Sequence, residues 1–167
     1  ATTDESLEQN LLEEDIKTGL IPRFAMFRCV PNEPMAFPPM PDSGVAAALA
    51  QGLQDINSHA RAVGGAIDLD QNAMRTWETA YKDFAFQERN APEAASAILA
   101  RVPTLTLKWA LIYAMQAYHT NIEQDDIERA ILVGRYLANG AYRTTQNISR
   151  HPTAKAETLI LRWVDEE

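Results

Sequence analysis

Several residues in this sequence have types and spacings suited to chemistry. Asp68-x-Asp70-x-Asn72 begins like a calcium loop, in which alternating oxygen ligands surround the ion. The position that such a loop gives to glycine is Ala73, and the bidentate carboxylate position is Thr79, so the segment is read as a helix cap. His59, His119 and His151 carry imidazoles able to bind metal or move protons. They stand far apart in the chain with no Cys or carboxylate at metal-ligand spacing, so each is expected at a surface or boundary position and no metal site is predicted. The run Leu159-Ile160-Leu161-Arg162-Trp163-Val164-Asp165-Glu166 imitates the apolar strand ending in Asp-Glu of a Walker B element, but Arg162 inside it and the helical stripe around it argue for helix. No G-x-x-x-x-G-K-[ST] phosphate loop occurs, and no Ser/His/Asp set has a supporting local motif. Basic residues concentrate late in the chain. Residues 129–163 hold Arg129, Arg135, Arg143, Arg150, Lys155 and Arg162 against Glu157 alone, whereas residues 1–128 hold 9 Lys/Arg against 19 Asp/Glu. This is either a solvated helix face or a phosphate-facing surface in which Arg143, Arg150 and Lys155 meet nucleic acid.

The chain that must position these groups has 167 residues, 46% hydrophobic and 23% charged, enough to bury one substantial core. A net charge of −8 argues against wholesale wrapping of nucleic acid. The strongly apolar stretch 105–118 is broken by Thr106, Lys108 and Gln116 and falls short of the roughly 20 residues that a membrane span needs, so no membrane partner is expected. Cys29 is the only cysteine, which rules out an internal disulfide and fits a packed thiol in a reducing cytoplasm. The start, Ala1-Thr2-Thr3-Asp4-Glu5, has neither an initiator Met nor a signal-peptide pattern, so the chain is expected to be a piece of a longer protein.

Periodicity predicts a mainly α protein, an orthogonal bundle of about six or seven helices with one or two short strands on the N-terminal side. Thr2 and Glu5 have capping-box spacing ahead of Leu7, Leu11, Leu12 and Ile16, and Gly19 ends that first helix. Arg23-Phe24-Ala25-Met26-Phe27-Arg28-Cys29-Val30 reads as a buried strand running into a loop with Pro31, Pro34, Pro38, Pro39 and Pro41. A lone strand is not stable, so its partners are expected in sequence outside this chain. Asp42 or Ser43 can cap a second helix with the stripe Val45, Leu49, Leu53, Ile56 and Ala60, ended by Gly64-Gly65. Asp70 can cap a third, with Ala73, Met74, Trp77, Tyr81 and Phe84 on its core side. Pro92 opens a fourth, and Pro103 separates it from a fifth, 105–118, expected to be the most buried element because it is apolar nearly all round. Asp125 and Asp126 suit the positive end of a sixth helix, and Pro152 opens a seventh. The domains expected are 1–42, the edge of an absent core; 43–150, a helical domain; and 151–167, the start of another segment.

Two segments carry a resemblance when taken together. Gly19-Leu20-Ile21-Pro22-Arg23-Phe24-Ala25-Met26-Phe27 resembles the apolar-apolar-x-Arg-Phe segment that follows the sensor region of hexameric helicase ATPases, including the minichromosome-maintenance helicases. It is closer to the corresponding segment of primase-helicase proteins of phage and mobile elements. Ala100-Arg101-x-x-x-Leu105-x-Leu107-Lys108-Trp109-Ala110-Leu111-Ile112-Tyr113-Ala114 looks like the lid helix of those ATPases, followed as there by Asn121-Ile122-x-x-x-Asp126-Ile127-x-x-Ala130-Ile131. The likeness spans roughly residues 15–138. Pro22 stands where minichromosome-maintenance proteins have serine, and Ala25 where they have aspartate, which favours the mobile-element relatives.

The resemblance implies a fragment of a DNA-replication primase-helicase-like ATPase: a lid whose partners are the ATPase core of the same protein and neighbouring subunits of a homo-oligomeric ring. ATP and magnesium would be held by that core, with no cofactor in this chain. Arg23 matches the trans-acting arginine finger, Arg101 the lid's sensor arginine, and Lys108 a second basic position on the lid helix. Local readings stand beside these. Arg23 can pair with Glu13 or Glu14, Arg101 can be an exposed arginine at a helix junction, and Lys108 can snorkel from a buried helix. The segment 152–167 resembles the first helix of a winged-helix domain, which leaves DNA as a partner. Two other functions compete: a stand-alone helical protein-interaction module, and a small DNA-binding adaptor using the basic 129–162 region.

Overall fold

The computed structural model describes residues 23–25, 27, 40 and 42–145. They form helices α1 (Ser43–Val63), α2 (Gln71–Arg89), α3 (Glu93–Leu99), α4 (Val102–Gln116) and α5 (Gln124–Thr145). The mainly α character expected from periodicity is therefore present. Extended pairing among the described residues is limited to one parallel bridge between Leu69 and Ile122. Arg23 sits in a 3₁₀ turn and Phe24 in a bend. The expected first helix, most of the apolar segment after Arg23 with Cys29, the proline loop, His151, Arg150, Lys155 and the expected seventh helix lie outside the described residues.

Helix starts follow side-chain chemistry. Asp42 Oδ1 accepts from the backbone N–H of Gly44 at 2.7 Å and of Val45 at 3.3 Å, satisfying two donors that the first turn of α1 cannot pair internally. Gly64, at φ 54°, ends α1 in a conformation that costs other residues strain, and its N–H donates to Ala60 O at 3.3 Å. Asp70 Oδ1 accepts from Ala73 N at 2.7 Å, so the Asp68-x-Asp70-x-Asn72 run caps α2. Pro103 lies in the first turn of α4, where its missing N–H loses nothing, and α4 therefore begins before the expected position 105.

The chain divides into two compact units, each made of separate stretches. The first takes Ala1–Phe27, Ala80–Leu105 and Gly134–Glu167. Its buried apolar residues include Ala80 and Phe84 of α2, Ala95 and Leu99 of α3, and Leu137, Ala138 and Ala141 of α5. Phe27 stacks on Tyr136 with centroids 5.7 Å apart and planes 15° from parallel, which fixes the described end of the Arg23 segment against α5. Arg135 Nη2 lies 3.9 Å from Asp83 Oδ2, with both side chains more than half exposed, so this pair contributes at most about 1 kcal/mol.

The second unit takes Arg28–Thr79 and Thr106–Val133. Its buried set is Ala73, Thr106, Ala110, Ala114, Met115, Ile122, Asp126, Ile127, Ala130 and Ile131. Small residues at 106, 110 and 114 put one flat edge of α4 into this core. The bridge ties α1's outgoing strand-like segment to the start of α5: Ile122 N donates to Asp68 O and Asp70 N to Ile122 O, both at 2.9 Å.

Two expectations about packing are corrected, for α4 and for α2. α4 is not buried all round, since Leu111 and Ile112 are exposed opposite its small-residue edge. On α2 the buried positions Ala73, Ala80 and Phe84, seven and then four residues apart, form a face that leaves Met74 and Tyr81 more than half exposed. On α1 no residue is buried, although Ile56 at the later end of its stripe is half-buried. Among the described residues one run of 24 residues, Glu93–Gln116 across α3 and α4, is long and apolar enough by length and composition to cross a membrane, with an 18-residue stretch of mean hydropathy 1.2. Core helices pass the same test, and Arg101 interrupts the run.

Candidate functional site

The described basic residues predicted to act in a site are all exposed. Arg101 stands at the junction of α3 and α4. Ala100 keeps α-helical backbone angles, Arg101 N–H donates to Ile98 O at 3.0 Å, and Arg101 O accepts from Leu105 N at 3.0 Å. The tight turn therefore holds the Arg101 backbone while its guanidinium meets solvent. Lys108 is exposed on α4, and Arg143 is exposed in the last turn of α5. Arg23, Arg101 and Arg143 fall in the first unit and Lys108 in the second. Among the described residues, no three His, Cys, Asp or Glu side chains are grouped to hold a metal ion.

A polar cluster that sequence reading missed joins two of the scattered histidines. It begins with how α4 ends. Tyr118 N–H donates to Met115 O at 3.2 Å and His119 N–H to Ala114 O at 2.9 Å, the pair of bonds of a Schellman turn. The left-handed position of that turn usually belongs to glycine, yet here it is Tyr118 at φ 60°. A left-handed non-glycine residue costs about 1–2 kcal/mol. Part of that cost is offset by the Tyr118 ring, which meets His59 of α1 edge to face at 5.4 Å.

The turn aims His119 at the start of α5. Its Nδ1 donates to Asp126 Oδ2 at 2.8 Å, and the same oxygen accepts from Glu123 N at 3.0 Å. Asp126 is 1% exposed, so its charge is held by these donors instead of bulk water. Its position in the first turn of α5 makes the bond to Glu123 N the returning half of a capping box. His119 Nε2 lies 3.8 Å from Glu123 Oε2. On the other side, His59 Nε2 donates to the His119 carbonyl oxygen at 3.0 Å. The Asp126 hydrogen bond, with added attraction from Asp126, Glu123 and Asp125, raises the His119 pKa above its ordinary 6.5 despite opposition from desolvation. The cluster is a charge-assisted clasp between α1, the α4–α5 connection and the first turn of α5.

The sequence signal for this cluster was present in two halves. An acid three residues into a helix marks a returning cap, and a histidine seven residues before it is within reach only because the Schellman turn reverses the chain. Compared with known protein families, curated proteins and solved structures, the chain matches none of them.

Proposed function

We propose that this chain is the helical lid region of a cytoplasmic primase-helicase-like ATPase of phage or mobile-element type, acting in DNA replication. Its arginines complete an ATP site whose phosphate loop and magnesium belong to an ATPase core outside this chain. One observation carries the reading. The residues of the lid-like motif lie, in chain order, on an exposed Arg101 at a helix junction, on α4, at the bridge of Ile122 and on α5, an order that supports the reading. An arginine at such a junction can swing its rigid fork of donors onto transferring phosphoryl oxygens without leaving a packed core. In the ring that this reading implies, Arg23 reaches the nucleotide of the neighbouring subunit, Arg101 reads the γ-phosphate from the lid, and Lys108 adds charge on the lid helix.

The test uses the full-length protein. Arg23→Ala and Arg101→Ala are each expected to lower ATP turnover by about a thousandfold or more, the usual loss when a transition-state arginine is removed, while nucleotide binding persists. Unchanged turnover in both variants, or a full-length protein without a phosphate loop, overturns the reading.

A protein-interaction module is the second reading, favoured by the exposed apolar side chains of α1. The DNA-adaptor reading rests on Arg143 with Arg150 and Lys155. It requires binding of double-stranded DNA that weakens steeply with added salt, and absence of binding at low salt removes it.

A further inference from the structure

We infer that the N-terminal half of α1 is a self-association surface, and that two copies of this chain pair there as antiparallel helices about a two-fold axis at Leu49. Every residue from Asp42 to Gln51 is exposed, and the large apolar side chains Val45, Leu49 and Leu53 are 59%, 65% and 68% exposed. They recur every four residues and so form one stripe along the helix. The half-buried positions of α1 instead fall later, among them Ile56, His59 and Val63, where His59 meets Tyr118 and the His119 carbonyl. α1 therefore splits along its length into a docked C-terminal half and an uncovered N-terminal half.

What identifies the occupant is the symmetry of the uncovered sequence. Read outward from Leu49 in both directions, Val45-Ala46-Ala47-Ala48 is mirrored by Leu53-Gly52-Gln51-Ala50. An antiparallel second copy thus sets Leu49 on Leu49 and Val45 on Leu53 twice, with Ala46 opposite Gly52 and Ala48 opposite Ala50 so that the backbones approach closely, while Ala47 and Gln51 fall on the far side of the helix. This is the self-complementarity that an isologous two-fold interface requires. The segment from Ser43 to Gln54 contains no charged residue, so within it two copies oppose no like charges, and the flanking Asp42 and Asp55 stand at the ends of the pairing. Antiparallel pairing also places the helix dipoles head to tail, which parallel pairing does not. Two three-turn segments bury on the order of a few hundred Å², less than the roughly 800 Å² per partner of a standard stable interface, so association is weak and concentration-dependent. The pairing stands independently of the ATPase reading.

The experiment is sedimentation equilibrium of the 167-residue chain over a concentration series, followed by cysteine cross-linking in a Cys29→Ser background. A monomer–dimer equilibrium is expected below about 1 mM. Leu49→Glu, which faces two carboxylates across the axis, is expected to raise the dissociation constant at least about tenfold with an unchanged circular-dichroism spectrum. Under mild oxidation, Leu49→Cys is expected to cross-link with itself. Val45→Cys and Leu53→Cys are expected to cross-link when mixed and not when alone. A chain that stays monomeric up to about 1 mM, a dimer indifferent to Leu49→Glu, or preferential self-linking of Val45→Cys overturns the inference.

Discussion

Substitutions at Asp126 separate two effects of one carboxylate oxygen. In Asp126→Ala, the N–H of Glu123 and the Nδ1–H of His119 lose their acceptor at a position where the replaced side chain was 2% exposed. Loss of a cap costs about 0.5–2 kcal/mol. A hydrogen bond to a charged group contributes about 1.5–3 kcal/mol, reduced here because the His119 side chain is 27% exposed and water reaches it. The two losses together are expected to remove about 2–4 kcal/mol of stability. In Asp126→Asn the amide oxygen keeps an acceptor at the cap and only the charge is removed, so the loss is expected to be smaller than in Asp126→Ala.

The Asn variant then isolates the pH effect. The native His119 pKa is raised, so the native state holds a proton that the unfolded chain has released between pH 6.5 and the native value. Stability from this group is therefore complete below about pH 6.5 and is lost as pH rises through the native pKa. Urea unfolding between about pH 5.5 and 8.5 is expected to show a downward contribution in wild type that Asp126→Asn lacks. An NMR titration of the His119 ring should show its pKa moving down towards 6.5 in the same variant. Equal pH slopes in the two proteins, or a His119 pKa unchanged within about 0.2 unit, would refute the clasp.

Two further outcomes follow from the packing. Asp42→Ala removes the cap of a helix with no buried residue, so the loss of about 1 kcal/mol is expected to stay local: amide exchange at residues 44–46 accelerates about fivefold while the urea midpoint holds. A shifted midpoint would mean that the start of α1 is coupled to the core. Ala110→Leu forces extra methylenes into a site that is 0% exposed and is expected to cost about 1–3 kcal/mol or more, whereas its neighbour Leu111, 39% exposed, should tolerate Ala for less than about 1 kcal/mol. Comparable midpoints for the two variants would contradict the one-sided burial of α4.

Local chemistry was legible from the chain alone, and burial was legible only where a helix had one apolar face. Asp42, Gly64, Asp70 and Pro92 mark helix ends through groups that act within a few residues of themselves, so no knowledge of the tertiary structure was needed. The acids at the start of α5 were legible for the same reason. α4 misled because apolar side chains surround it, and periodicity then cannot say which side is packed. The answer lay in size, since the small residues 106, 110 and 114 take the buried edge and the large Leu111 and Ile112 the exposed one. On α1 a clean stripe comes with no buried residue, because amphipathicity states only that a face needs cover, not that the same chain supplies it.

The His119 clasp was hidden by a different cause, a strained residue in place of a signal. Helix ends are recognised by glycine, and nothing between Ala114 and Asn121 is glycine, so the periodicity carried α4 on to Tyr118. With two more helical residues there, His119 would follow from a different turn, away from Asp126. Glycine at 118 would make the same Schellman turn without strain but could offer nothing to His59. Tyr118 makes the turn at a cost of about 1–2 kcal/mol and gains a ring against α1. That exchange links three features: the docked half of α1, the reversal after α4, and the carboxylate that caps α5. The docking of α1 thus rests on a polar and aromatic clasp instead of a buried apolar stripe, which leaves its first three turns uncovered.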